Sequence, residues 1–203
     1  MYPVHLDAQL EEPLNRWLWL VKWLLAIPHY IVLAFLWLGA VLASIAAFFA
    51  ILFTGRYPRW LFDYNLGVVR WTWRVEYYAF TGVGTDRYPP FTLGRAPDYP
   101  ATVDIDYPES LSHWKPLLKW LFAFPHWFAV AAFSGGYTYS RGGVGFGGAM
   151  FALTLVALML LLVKQRYPAN VHTLIIRMAR WVTRVFAYVF FMTDEYPPFR
   201  LED

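Results

Sequence analysis

Apolar and polar positions along this chain fall into blocks, and the blocks come twice. From Trp23 to Phe53 there is no Asp, Glu, Lys or Arg, and the same holds from Ala149 to Val163. About twenty apolar residues suffice to cross a bilayer, so both stretches read as membrane-embedded. Upstream of each, apolar residues alternate with polar ones, Val4 and Leu6 in one case and Val103 and Ile105 in the other. Period two belongs to a strand, which predicts a brief extramembrane strand per block. After each apolar stretch comes a mixed segment, 60–80 and 170–191, with arginines at helical spacing among aromatics. Arg70 and Arg74 share a helix face; Arg180 and Arg184 do the same, with Arg177 beside them. Such a helix is expected to lie flat in the membrane interface, its arginines at the lipid headgroups and its aromatics among the acyl chains. A Tyr-Pro-Pro-Phe turn closes each block, because a proline pair cannot continue a helix.

The doubling is an internal repeat. Tyr2 set against Tyr99 aligns the chain with itself, without a gap, through His29 and His126. Tyr2-Pro3, Asp7, Glu12, Leu14, Trp17, Leu20, Lys22-Trp23-Leu24, Ala26 and Pro28-His29 all recur 97 positions later. Farther on the spacing becomes 110, where Arg56-Tyr57-Pro58, Arg70-Trp71, Arg74-Val75 and Tyr78 return as Arg166-Tyr167-Pro168, Arg180-Trp181, Arg184-Val185 and Tyr188. Thr85-Asp86-Arg87-Tyr88-Pro89-Pro90-Phe91 returns as Thr193-Asp194-Glu195-Tyr196-Pro197-Pro198-Phe199. The units are therefore 1–95 and 96–203, the second with a Gly-rich insertion at about 134–147. Irregular, Gly-rich backbone cannot face lipid, since its peptide groups would lack partners. Placed in water, the insertion splits the second apolar region into 114–133 and 146–163, a transmembrane hairpin. By homology the first region splits near Gly39 into 17–38 and 40–53. Sixteen of the seventeen Lys and Arg then fall on one side, Arg141 alone lying at a hairpin tip. The positive-inside rule makes that side, with both termini, cytoplasmic.

Composition agrees with membrane residence: 59% hydrophobic, 21% aromatic and 15% charged, against roughly 25% charged in soluble domains. The start of the chain lacks the basic and apolar pattern of a cleavable signal, so the first apolar stretch is expected to serve as its own insertion signal. No cysteine is present, which removes disulfides, thiolate metal sites and thiol catalysis. A formal charge of +3 is too mild to suggest nucleic acid as a partner.

These residues also carry a resemblance. Each copy resembles a unit of the bacterial, largely actinobacterial, membrane proteins grouped as domain-of-unknown-function family 4389. The hallmarks are Lys22-Trp23-Leu24 to Ile27-Pro28-His29, Leu52-Phe53-Thr54-Gly55-Arg56-Tyr57-Pro58, Arg70-Trp71 and Asp86-Arg87-Tyr88-Pro89-Pro90-Phe91. In the second copy Leu162-Val163-Lys164-Gln165 replaces the Leu-Phe-Thr-Gly run, and Arg177 stands where the first copy has Gly67. The resemblance implies a membrane fold and supplies no activity.

The expected fold is thus all-α integral membrane: two homologous repeats, each a transmembrane hairpin plus an amphipathic interfacial helix, with short extramembrane strands. His29 and His126, at equivalent embedded positions after a proline, are candidate cofactor ligands, since paired histidines on facing helices hold haem iron and a single histidine can serve as its axial ligand. The plain alternative is a histidine bonding a carbonyl freed by the proline kink. Asp86 and Asp194 recur beside turns, where Asp caps backbone N–H groups or pairs with Arg56 or Arg166. No nucleophile elbow, phosphate loop or metal-spaced cluster occurs, so no catalytic or metal-binding residue is assigned and an enzyme is not expected. The function expected is that of a non-catalytic accessory or scaffolding subunit in the cell membrane, in contact with the bilayer and with other membrane subunits. Alternatives are a lipid- or isoprenoid-binding module using Arg70, Arg74, Arg177, Arg180 and Arg184, and a haem- or pigment-binding subunit using His29 and His126.

Overall fold

The structure, a computed structural model, describes residues 2–134, 139–140, 143–144 and 148–201. Its elements run β1 (Val4–Ala8), α1 (Trp19–Leu25), α2 (Ile27–Thr54), α3 (Arg59–Ala79), β2 (Ala101–Ile105), α4 (Lys115–Phe122), α5 (Phe124–Ser134), β3 (Tyr139–Ser140), β4 (Gly143–Val144), α6 (Ala149–Lys164) and α7 (Ala169–Val189). Helix predominates. The alternating segments form the expected small sheet, in which β1 and β2 pair antiparallel and bury Val4, Leu6 and Ala8 against Ala101, Val103 and Ile105. Of the Gly-rich insertion, Ser134 closes α5 and the short β3–β4 pair is formed; the rest, including Arg141, lies outside the described residues.

The register of the sheet reveals how the copies are arranged. Leu6 lies opposite Val103, its own equivalent 97 residues on. Equivalent residues face each other only where a two-fold axis passes between them. The same axis relates α3 and α7, which run antiparallel. The Tyr77 hydroxyl, near the end of α3, lies 2.8 Å from His172 Nε2, near the start of α7. At the other end, Leu61, Phe62 and Leu66 share a core with Ala187 and Phe191. Reciprocal bonds cross the axis. Arg70 Nε donates to the Val103 carbonyl at 3.3 Å, and Arg180 Nε to the Leu6 carbonyl at 2.9 Å. Likewise the Tyr2 hydroxyl donates to the Glu195 carbonyl at 3.1 Å and the Tyr99 hydroxyl to the Arg87 carbonyl at 3.2 Å. The Tyr-Pro that opens each copy therefore fastens it to the other.

The expected hairpin in the first copy is not formed. α2 is a single helix of 28 residues running through Gly39, about 42 Å long. Gly39 is small for a different reason: Tyr64 of α3 occupies the space a Cβ would need, and its hydroxyl donates to the Leu36 carbonyl at 3.0 Å. In the second copy α5 has 11 residues and α6 has 16, too short singly for a core about 30 Å thick. α4 and α5 meet at a bend of 52°. Among the described residues α2 is thus the one helix long and apolar enough to cross a membrane, with the bent α4–α5 pair a second candidate. With α2 unbroken, the basic residues before and after it no longer fall on one side of a hairpin, and the expected cytoplasmic placement of both termini does not follow.

Nor are α3 and α7 exposed interfacial helices. α3 buries Leu66, Val68, Trp71, Trp73, Val75, Tyr77 and Tyr78. It packs on α2 and β2, while α7 packs on α5, α6 and β1. The arginine stripe does mark a polar helix face, but the sheet covers it.

The C-caps differ between copies. α2 ends at Gly55 with φ 67°, whereas α6 ends at Gln165 with φ 55°. A left-handed conformation costs a residue bearing a Cβ about 1 kcal/mol. Gln165→Gly is therefore expected to stabilise the protein by about 1 kcal/mol, seen as a higher denaturation midpoint in mild detergent. Gly55→Ala should act in the opposite sense, because a Cβ there would sit 2.8 Å from His113 Nε2.

Candidate functional site: a clasp in each copy and an arginine cleft on the axis

The repeated motifs converge on one arrangement per copy. Lys22 on α1 points inward and is 1% exposed. Its Nζ donates to the Thr85 carbonyl at 2.6 Å, pairs with Asp86 Oδ1 at 2.8 Å and lies 5.3 Å from the centre of the Tyr78 ring. Burial lowers the pKa of its ammonium and the bond to Asp86 opposes this. Asp86 Oδ2 accepts the Asn15 N–H at 2.6 Å. Lys119 repeats the set, with the Thr193 carbonyl at 2.7 Å, Asp194 at 2.9 Å and the Tyr188 ring at 5.2 Å; Asp194 in turn accepts the Ser112 N–H. So Asp86 and Asp194 do cap backbone, but they pair with lysines rather than with Arg56 or Arg166. Each clasp ties the helix entering the apolar block to the segment leaving α3 or α7.

His29 and His126 complete the clasps. Each is fully buried. His29 stacks on Phe91 at 3.9 Å and touches Tyr88; His126 stacks on Phe199 at 4.1 Å and touches Tyr196. Trp71 Nε1 donates to His29 Nδ1 at 2.9 Å, which leaves the proton of a neutral ring on Nε2. Each ring is enclosed by residues of its own copy, so the two do not make the shared ligand pair that haem between facing helices requires. Among the described residues His29 Nε2 and both ring nitrogens of His126 are buried without a side-chain hydrogen-bond partner.

The arginines gather elsewhere. A cleft of about 720 Å³ opens on the axis between the sheet and the α3–α7 layer. Arg70, Arg74, Arg180 and Arg184 line it together with Arg95 and Arg200, and among the described residues the lining carboxylates are Asp7 and Asp104. Arg70 and Arg95 both reach Asp104, at 2.7 and 2.5 Å. Arg74 is 2% exposed and is held by the carbonyls of Gly94, at 3.0 Å, and of Thr92. Arg184 lies 5.4 Å from the centre of the Tyr2 ring. Arg177, expected to join them, lines a separate cavity of about 260 Å³ with Asp7, His172 and Arg180. Arg95 and Arg200 stand in loops outside any periodic pattern, and only the fold brings them to the cleft. The lysines had a readable signal: an ammonium in an apolar run, present in both copies, needs a buried carboxylate partner.

Together these features define a class: a duplicated helical protein, clasped within each copy, closed about an internal dyad and carrying a basic cleft on that axis. The chain belongs to the family described as a domain of unknown function, DUF4389, which matches residues 16–92 and 146–200. No curated protein and no solved structure matches it.

Proposed function

We propose that this protein is a non-catalytic membrane module that holds the phosphate headgroup of an anionic lipid in its axial cleft. The convergence of arginines from both copies on one cleft carries the reading. Guanidinium suits phosphate because its rigid fork meets two oxygens at once. α2 and the outward apolar residues in or just before α1 and α4, such as Trp17, Trp23, Trp114 and Trp120, support a bilayer location from which a lipid would enter. The test is retention of anionic lipid through purification in maltoside, followed by titration with nanodiscs of mixed anionic and neutral lipid. Arg95 is 76% exposed, so Arg95→Gln with Arg200→Gln is expected to leave the fold intact. At about 1 kcal/mol per basic residue, that pair should weaken binding by about thirtyfold, and raising salt should weaken it further. Binding that is indifferent to both the substitutions and salt overturns the reading.

A second reading, an accessory subunit in a larger membrane assembly, is favoured by the apolar stripe that α2 turns outward, including Ile31, Phe35, Leu38, Leu42 and Phe53. It requires a stoichiometric partner on gentle purification, and a chain that runs alone counts against it.

A further inference from the structure

A second cavity lies on the face of α3 turned away from the arginines. Glu76 follows Arg74 by two positions, which places it about 200° round the helix. The cavity, about 530 Å³, is walled by Tyr30, Trp73, Phe80, Phe151 and Val182, with Glu76 exposed within it. Tyr30 and Phe80 meet at 5.9 Å between ring centres, and Trp73 turns its N–H away, to the Asp7 carbonyl. Among the described residues Glu76 has no ion pair and no side-chain hydrogen bond, and it is the one charged group in the lining.

The comparison between copies sharpens this. At the spacing of 110 the counterpart of Glu76 is Phe186. Phe186 stacks on Phe190 at 4.0 Å and meets Trp37 edge-on at 5.4 Å. The second copy thus fills the position with an aromatic cluster, whereas the first places a carboxylate in an aromatic-walled space. An ionised carboxylate beside aromatic walls is costly without a counter-charge, and among the described residues none lines the cavity.

From this geometry we infer that the Glu76 cavity binds an alkylated ammonium group, of the choline type. Three features select that class. A hard metal ion wants six or more oxygens, and one carboxylate with a few hydroxyls does not provide them. A primary ammonium spends its three N–H donors on oxygen acceptors such as the hydroxyls of Thr81, Ser134 and Thr183, and makes no use of the aromatic walls. A methylated ammonium donates no hydrogen bonds and is attracted to aromatic faces, leaving one carboxylate to balance its charge. The ammonium can come from a choline lipid or from a soluble amine.

The experiment compares choline with its uncharged isostere 3,3-dimethylbutan-1-ol by calorimetry, on the whole protein in maltoside micelles free of choline lipid. Choline is expected to bind at least about tenfold more tightly than the isostere, and Glu76→Gln to abolish that difference. Val182→Trp, which fills the cavity without touching the charge, should lose choline binding as well. Competition by added phosphatidylcholine assigns the lipid as source, and its absence assigns a soluble amine. Equal binding of choline and isostere, no choline binding, or unchanged binding to Glu76→Gln overturns the inference. Arg95→Gln with Arg200→Gln should leave choline binding unaltered, and Glu76→Gln should leave retention of anionic lipid unaltered, so the two sites fail or stand separately.

Discussion

Asp86→Ala is expected to destabilise the protein by about 3–5 kcal/mol, the range for breaking one side of a buried ion pair. Lys22 is 1% exposed and would keep the Thr85 carbonyl, the Tyr78 ring and the charge of Glu11 in place of a direct ion pair. The Asn15 N–H would lose its acceptor too. Folded proteins hold roughly 5–15 kcal/mol in total, so a loss of this size shows as a much lower denaturation midpoint in maltoside or as failure to accumulate. Adding Lys22→Met should restore most of it, because removing both charges together is close to neutral. Asp63→Ala provides the contrast. Asp63 pairs with Arg59 at the open start of α3, with the two side chains 55% and 65% exposed, and its loss should cost under about 1 kcal/mol. If Asp86→Ala behaves like Asp63→Ala, the clasp does not hold the fold together.

The second large effect is expected from exchanging a position at which the copies differ widely in size. Gly67→Arg gives the first copy the second copy's residue, and it should cost about 3–5 kcal/mol. A Cβ at Gly67 would lie 2.8 Å from Leu93 Cβ and 3.1 Å from the Leu93 carbonyl oxygen, so the segment after the clasp must move. That segment supplies the Thr92 and Gly94 carbonyls that hold buried Arg74. The cost therefore combines overpacking with donors left unmet, and it exceeds the roughly 1 kcal/mol that α3 gains from losing a glycine. Arg177→Gly should cost only about 1 kcal/mol, since Arg177 is exposed on α7. Chemical denaturation of both variants, with loss of anionic-lipid retention for Gly67→Arg alone, tests this; equal midpoints would refute it.

The sequence made the repeat and the strands legible, because identity at a fixed spacing and period-two alternation are direct signals. Val4, Leu6, Val103 and Ile105 lie in the strands they predicted. Gly39 misled, since a glycine in an apolar run signals a break and a close helix contact equally well, and only Tyr64 decides between them. The arginine periodicity correctly gave a polar helix face, and four of its five members share the cleft. What covers that face was not legible, because it is a sheet made from two segments about a hundred residues apart. Arg177 fell outside for a local reason: it shares a side of the helix with Arg180 and Arg184 but stands about one and two turns nearer the start of α7, where it lines the neighbouring cavity with Asp7 and His172. The histidines drew attention as ligands, while the residues that enclose them, Phe91 and Phe199, lie in turn motifs readable only as chain punctuation.

A polypeptide carrying a single copy would have a strand on offer and no second strand of its own to receive it. Set beside another molecule of itself, Leu6 would meet Leu6, and each Arg70 would reach into its neighbour's backbone. The present chain is that homodimer made covalent. Fusion replaces a concentration-dependent encounter with an intramolecular one. It also lifts the demand that both halves be identical, and a mirrored pair of sites becomes free to specialise: an acid at 76 on one side, a phenylalanine at 186 on the other.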